Sequence, residues 1–441
     1  MSTDRSALTA ADEVVEICRN LLRIDTTNFG NNEGKGERRA AEYVMELLTE
    51  VGLDPEFYES APGRSNVVVR LAGEDPTREA LVLHGHLDVV PAQADEWSVD
   101  PFAGELIDGM LWGRGAVDMK DMIAMMLAVV RQMAREGRKP SRDLIVAFFA
   151  DEEAGGVYGA EYSIENKREI FEGASEAISE VGGYSTVING QRAYLLQTAE
   201  KSLSWLKLVA DGKAGHGSQL AEDNAVTKLS AAVARIGAHA WPYQMTPTVD
   251  ALLRGVSDLT GLKYRSDDPA LIDELVKAMG PAQRFVATTV RHSVNPTQLN
   301  AGYKANVIPR TAEAVVDARF LPGYEQEGMA QLQQLIGVDV RIEPIHIGPS
   351  VEAPITGNLV DAMSAAILSE DPTAVVLPYM LSAGTDNKSL SKIGIRGYGF
   401  VPLQLPPDLD FPSMFHGVDE RVPVDALLFG VKVLDQLLAT A

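Results

Sequence analysis

Two stretches near the start, "EVVEICRNLL" and "RRAAEYVMELLTEVG", repeat apolar residues at helical spacing, and the second stops at Gly52. Short runs follow that are rich in β-branched and aromatic residues: "NVVVRL", "EALVLHG" and "RDLIVAFFA". Their length and flanks predict strands. Between the last two lies "DMKDMIAMMLAVVRQMAREG", residues 118–137, a long helix ended by Gly137, whose methionines read as core. Strands alternating with helices predict an α/β fold, with a central mixed sheet flanked by helices.

The pattern changes near residue 201. "LSWLKLVADG" alternates apolar and polar positions, as a strand with one wet face does. A helix ("NAVTKLSAAVARIGAHA"), two strands ("RFVATTVRHS" and "EAVVDARFL"), a helix ("EQEGMAQLQQLI") and a strand ("VDVRIEP") follow. After "GPSVEAP" the helix/strand alternation returns, ending in a helix from Pro423. The pattern predicts a catalytic α/β domain in two parts, 1–200 and 350–441, interrupted by an inserted α+β domain at 201–349. Residues 239–283 carry the weakest pattern, and 402–414 form a Pro-rich loop.

The net charge is −23, from 39 Lys plus Arg against 62 Asp plus Glu. Such a surface repels phosphate backbones and anionic lipid, which argues against nucleic-acid and membrane roles. The one cysteine, Cys18, sits on the apolar face of the first helix, so neither a disulfide framework nor a thiolate metal site is expected. The N-terminal "MSTDRSALTAADEVVEIC" has no basic start leading into an apolar stretch, so no secretory leader is expected. The longest apolar run, Met122–Val130, is far short of the roughly 18 residues that a span requires. The expectation is a cytoplasmic protein.

Against this background "LVLHGHLDVVP", residues 81–91, stands out: a buried strand releases His84, His86 and Asp88 at its end. Glu152 and Glu153 follow the strand before "DEEAGG", Glu180 follows the short strand in "AISEVGG", and Asp118 opens the long helix. Ligands of open α/β sheets bind at the carboxyl ends of the strands, which is where these groups emerge. So many carboxylates repel one another unless cations neutralise them. Carboxylate and imidazole without thiolate suit Zn²⁺, Mn²⁺ or Co²⁺, and one aspartate can bridge two ions roughly 3.5–4 Å apart. His86 is then a ligand, and Asp88 accepts its second ring N–H to fix the tautomer. Of Glu152 and Glu153, one binds metal and the other takes a proton from water; position alone does not separate them. His84 reads as packing beside the site. His239, His292 and His346 lack ligand spacing. Gly384 and Thr385, in "GTDNKSL", open a helix, either as backbone donors to substrate or as a plain cap.

Seven ordered motifs, "HGHLDVVP", "WGRGAVDMKD", "ADEEAGG", "SEVGG", "GKAGHGS", "NVIP" and "FHGVDERV", span nearly the whole chain. Together they resemble the di-zinc aminoacylase and carboxypeptidase family. The resemblance implies a zinc-exopeptidase-like catalytic domain carrying two divalent ions, Zn²⁺ ahead of Co²⁺ or Mn²⁺, and an inserted lid that often forms a homodimer. By matching motifs, His86 and Glu180 would hold one ion, Glu153 and His416 the other, and Asp118 would bridge them. Glu152 would be the general base and Asp88 the carboxylate behind His86. His216 in the lid would stabilise the oxyanion, across a dimer in some members, while Asn306 and Arg319 would hold the substrate carboxylate. The chain departs from the family in having "SEVGG" where two acidic residues often precede the glycines, and in its long 239–300 segment. The long segment, with "AEKSLSWLKLVADGKAGHGS", points toward the carboxypeptidase S and aminoacylase branch over the deacetylases.

The expected function is metal-dependent hydrolysis of an amide next to a free carboxylate, as a carboxypeptidase, dipeptidase or N-acyl-amino-acid amidohydrolase. A deacetylase, desuccinylase or ureide amidohydrolase of the same family is the alternative. A non-catalytic metal-binding homologue would be expected to lack the base or the lid histidine, and both Glu152 and His216 are present.

Overall fold

The apolar runs of the first half pair with strands of the C-terminal part into one ten-stranded mixed sheet in this computed structural model, which describes residues 8–441. Part of the N-terminal stretch read for a leader, residues 1–7, lies outside the described residues. Ala80–His86 runs parallel to Leu144–Phe149 on one side and to Ala174–Ser179 on the other. Arg396–Gly399 extends this parallel group, and the Glu56–Ala61/Arg64–Leu71 hairpin adds antiparallel strands beyond Leu144–Phe149. Gln191–Glu200 pairs in parallel with Val375–Leu381 and antiparallel with Tyr184–Ile188.

Alternate residues of the central strands feed two cores. Val67, Val69, Leu81, Leu83, Val146 and Phe148 join the larger core, which includes helices Ala10–Leu22, Arg38–Glu50, Lys120–Glu136 and Val424–Thr440. Val68, Ala80, Val82, Ile145, Ala147 and Phe149 face the other way, toward helix Ala160–Asn166 and Leu390. With both faces covered, the strands read as continuous apolar runs. Lys120–Glu136 is buried from Lys120 through Arg131 because it packs against both the sheet and the outer helices Ala10–Leu22 and Val424–Thr440.

A second, four-stranded antiparallel sheet has the order Ser293–Ala301, Thr311–Arg319, Leu203–Asp211, Val340–Gly348. Leu206, Leu208, Ala314 and Val316 pack one face into a separate core with helices Ala225–Ala238 and Glu325–Ile336. Trp205, Asp317 and Arg319, at the alternate positions, belong to the opposite face.

The structure departs from the predicted elements in two places. Helices Pro247–Thr260 and Pro269–Lys277, inside the stretch expected as one insertion, pack Val249, Leu252, Val256 and Leu275 into the large sheet's core. The insertion at 201–349 is therefore not a single packing unit. "RFVATTVRHS", expected as a strand, begins in the short helix Gln283–Val286, and the strand starts only at Ser293. That strand holds Pro296 and is exposed from Asn295 onward, as an edge position permits. Among the described residues no helix is long and apolar enough to cross a membrane.

Candidate metal centre

The carboxyl ends of the parallel strands bring together residues far apart in the chain. His86 Nε2 lies 3.2 Å from Asp118 Oδ1 and 3.4 Å from Glu180 Oε2. His416, at left-handed φ of 56° in the Pro-rich C-terminal loop, places Nε2 3.1 Å from both Asp118 Oδ2 and Glu153 Oε2. The donor atoms of His86, Asp118 and Glu180 lie within 4.8 Å of one another, as do those of Asp118, Glu153 and His416. Asp118 thus offers one oxygen to each group. Glu152 belongs to neither, yet lines the same cavity as Glu153 and His416.

Electrostatics mark this cluster as charge-starved. Burial, then the Glu180 charge, pushes Glu152 well above the carboxylate range. Burial pushes Glu180 up to about 8, against the pull of His86, and burial and Asp118 raise Glu153. Hydrogen bonds to Asp118 and Glu153 raise His416 to about 10. Burial opposes the charging of His86, but Glu180, Asp118 and Asp88 together hold its imidazole well above the ordinary value. Burial likewise opposes ionisation of Asp118, which bonds to His416 and His86 keep far below the ordinary value. Glu153 Oε1 is buried without a hydrogen-bond partner. Three acidic groups, one shared, and two imidazoles fit two divalent cations of intermediate hardness, which would replace the protons now balancing the charge.

Positioning falls to groups behind the ligands. His86 Nδ1 donates to the Asp88 carbonyl oxygen at 3.0 Å, leaving Nε2 free to ligate; the Asp88 carboxylate is farther, at 3.5 Å. The expected carboxylate–imidazole contact is therefore made mainly by a carbonyl. The two Asp88 oxygens instead accept the N–H groups of Glu152 and Glu153, each at 3.1 Å, and pin the turn that carries both glutamates. Asn28 donates through Nδ2 to Asp88 and Asp151, both at 2.9 Å, while its Oδ1 accepts from Arg64 and the Gly30 N–H. Arg64 in turn pairs with buried Glu37 at 2.5 Å. Glu420 gathers the N–H groups of Gly115, Val117 and Asp118, together with Arg114, and so fixes the loop carrying Asp118. Sequence reasoning singled out neither Asn28 nor Glu420; only the position of Glu420 inside "FHGVDERV" pointed to it.

The remaining expected residues divide. Arg319 and Gly384 line a cavity of about 240 Å³ beside Glu152, Glu153 and His416. Arg319 is held by Asp317 through Nε–Oδ1 at 2.6 Å and Nη2–Oδ2 at 3.0 Å. A Cβ on Gly384 would sit 2.3 Å from Lys388 Cε, so this glycine makes room for the lysine stem. Thr385 offers no free donor: its N–H and hydroxyl both go to Glu200, a fully buried carboxylate that requires them. His216 and Asn306 sit together on an exposed two-stranded ribbon, where the Gly217 N–H donates to the Asn306 carbonyl, and neither lines the cavity. His84 is buried beside Asn387, at 2.9 Å, and burial pushes it down to about 4, in keeping with a packing role. His346, read only as lacking ligand spacing, lines the cavity.

Aminoacylase-1 of Sus scrofa is 28% identical over 432 residues, covering 96% of this chain and 94% of that protein. The fold matches the M20 family metallo-carboxypeptidase Sso-CP2 from Sulfolobus solfataricus with a TM-score of 0.71 at 16% identity, covering 97% and 99% of the two chains. It also matches the Bacillus subtilis YXEP protein, described as a dinuclear metal binding peptidase, with a TM-score of 0.62 at 14% identity, covering 98% and 99%. The model of peptidase family M20/M25/M40 matches residues 82–440, a span that holds both ligand groups and Glu152, and the chain belongs to that family.

Proposed function

We propose that this protein is a metal-dependent hydrolase that cleaves an amide or peptide bond next to a free carboxylate, as a carboxypeptidase, dipeptidase or N-acyl-amino-acid amidohydrolase. The observation that carries this reading is the pair of ligand groups sharing Asp118, with Glu152 left over in the same cavity as Arg319. The names of the relatives, an aminoacylase and a metallo-carboxypeptidase, support the same class.

His86, Asp118 and Glu180 would hold one divalent ion and Asp118, Glu153 and His416 the other, with Zn²⁺ favoured over Co²⁺ and Mn²⁺. Bound there, such ions polarise a carbonyl and lower the pKa of water from 15.7 toward about 7. Glu152 takes the proton of the attacking water and returns it to the amine nitrogen as the C–N bond breaks. Asp88 holds the backbone of that glutamate in place, and Arg319 offers a bidentate fork to the substrate carboxylate. His216 supplies an oxyanion donor and Asn306 a second contact to the carboxylate. Their exposed position off the cavity favours delivery from the partner subunit of a homodimer formed through the 201–349 segment. We place its action in the cytoplasm.

The test is to load purified protein with Zn²⁺, Mn²⁺ or Co²⁺ and assay a panel of dipeptides and N-acyl amino acids. Up to two ions per chain and chelator-sensitive cleavage of carboxylate-bearing amides are expected. Fully loaded protein that cleaves neither class would refute the reading.

A further inference from the structure

Trp205, Asp317 and His346 stand opposite one another on three adjacent strands of the small sheet. A register shift sets up this alignment. Leu206 pairs with Pro344, so regular pairing would bring Ile345 against Trp205; one extra residue brings His346 there instead. Bulges next to sites re-aim side chains in this way. The two rings lie 5.7 Å apart, and Trp205 keeps 38% of its surface open. Its indole N–H donates to Asp317 at 3.3 Å, and the same carboxylate holds Arg319 through both oxygens. The guanidinium and the aromatic wall are thus joined through one carboxylate. Burial holds His346 below its ordinary value. Lys392 and Glu161, also in the cavity lining, pair at 2.7 Å and cancel each other's charge, while Leu203 and Pro349 add apolar surface.

We infer that Trp205 and His346 form the specificity wall of this cavity, and that the preferred substrates are N-acyl or peptidyl derivatives of aromatic amino acids with a free carboxylate. A carboxylate on Arg319 places the side chain of the adjoining carbon next to the rings. An aromatic group there gains apolar burial and ring stacking, which a charged or one-carbon side chain cannot match. The inference rests on the amide-hydrolase reading above and adds the identity of one substrate group.

The test compares kcat/KM of the metal-loaded enzyme for N-acetyl-phenylalanine, -alanine, -aspartate and -lysine, with calorimetric binding of free phenylalanine and alanine in parallel. The phenylalanine substrate should lead the alanine substrate by about tenfold or more, the least that even one methylene buried in an apolar pocket is worth. Trp205→Ala should raise KM for the aromatic substrate and bring the two within about threefold, while Trp205→Phe should keep most of the preference. A preference for small or charged side chains, or an equal loss on every substrate in Trp205→Ala, would overturn the inference. Protein that cleaves no amide yet binds phenylalanine ahead of alanine would reject the hydrolase reading and keep the wall. Failure to discriminate in either assay would reject the wall.

Discussion

Glu152 and Glu153 are adjacent in sequence and differ only in what surrounds them. Glu153 reaches His416 at 3.1 Å and belongs to a ligand group, whereas Glu152 belongs to none. Glu152→Gln should therefore retain both metal ions and lose about 10²–10⁴-fold in kcat, the range that general-base catalysis supplies. Glu153→Gln should weaken one metal site, which elemental analysis after dialysis will register. Normal turnover in Glu152→Gln would refute the base assignment. The cluster of His86, Glu152, Glu153 and Glu180 was legible because carboxylates and imidazoles at strand ends need a reason to be there, whereas His416 and the split between the two glutamates came only from the resemblance. Asn28 was not legible, because its role is to join Asp88 and Asp151, 60 and 123 residues away. Asn28→Ala leaves buried Asp88 one donor short, at a cost of about 1–3 kcal/mol if unrelieved. Because Asp88 then holds the Glu152 turn less firmly, kcat should fall while KM changes little. A fall in thermal stability with unchanged kcat would assign Asn28 a purely structural role.

Strands and helices with a uniform environment were readable from their period. Gln191–Glu200 was missed because its buried stretch mixes Leu195 and Leu196 with Gln197, Thr198 and Glu200. Those polar groups bond to one another and to segments far along the chain, including Thr385 and Thr248. His292, just ahead of the misread edge strand, packs against Trp241 and Phe320 and accepts the Leu321 N–H at 3.1 Å. Burial, reinforced by the Lys201 charge, lowers this histidine from 6.5 to about 4. Below about pH 6.5 the unfolded chain therefore takes up a proton that the folded chain refuses. The stability contributed by the neutral ring is complete above that pH and is lost as pH falls toward 4. Denaturant titrations of wild type and His292→Gln should show their gap narrowing by about 1–2 kcal/mol between pH 7 and pH 5. A constant gap would mean that the ring accepts its proton without disturbing this joint.

On the scale of the whole molecule, the α/β class and the second sheet were legible, but the packing of residues 247–290 was not. Helical periodicity shows that a face is apolar without saying which of two cores receives it, and Val249, Leu252 and Leu275 go to the larger one. The same limit applies to His216, whose place in the sequence says nothing about which chain's site it serves. If the donor crosses a dimer interface, mixing His216→Ala with Glu152→Gln should restore part of the activity, since one heterodimer site would hold an intact base and an intact donor. Exchanged dimers with no recovery would locate the donor within one chain. His216→Ala alone should lower kcat by about 10²–10³ with KM nearly constant, as loss of an oxyanion donor does.

The Asp317–Arg319 pair gives this cavity a built-in rival to its own ligand. A carboxylate reaching the guanidinium must displace one that is already tethered two residues away and needs no encounter to rebind. Affinity is thereby traded for rejection of weak anions: a molecule that offers only a negative charge gains nothing over Asp317, whereas one that also fills the rest of the cavity does. Simple inorganic anions should consequently be poor inhibitors of this protein, even though an arginine fork stands in its cavity.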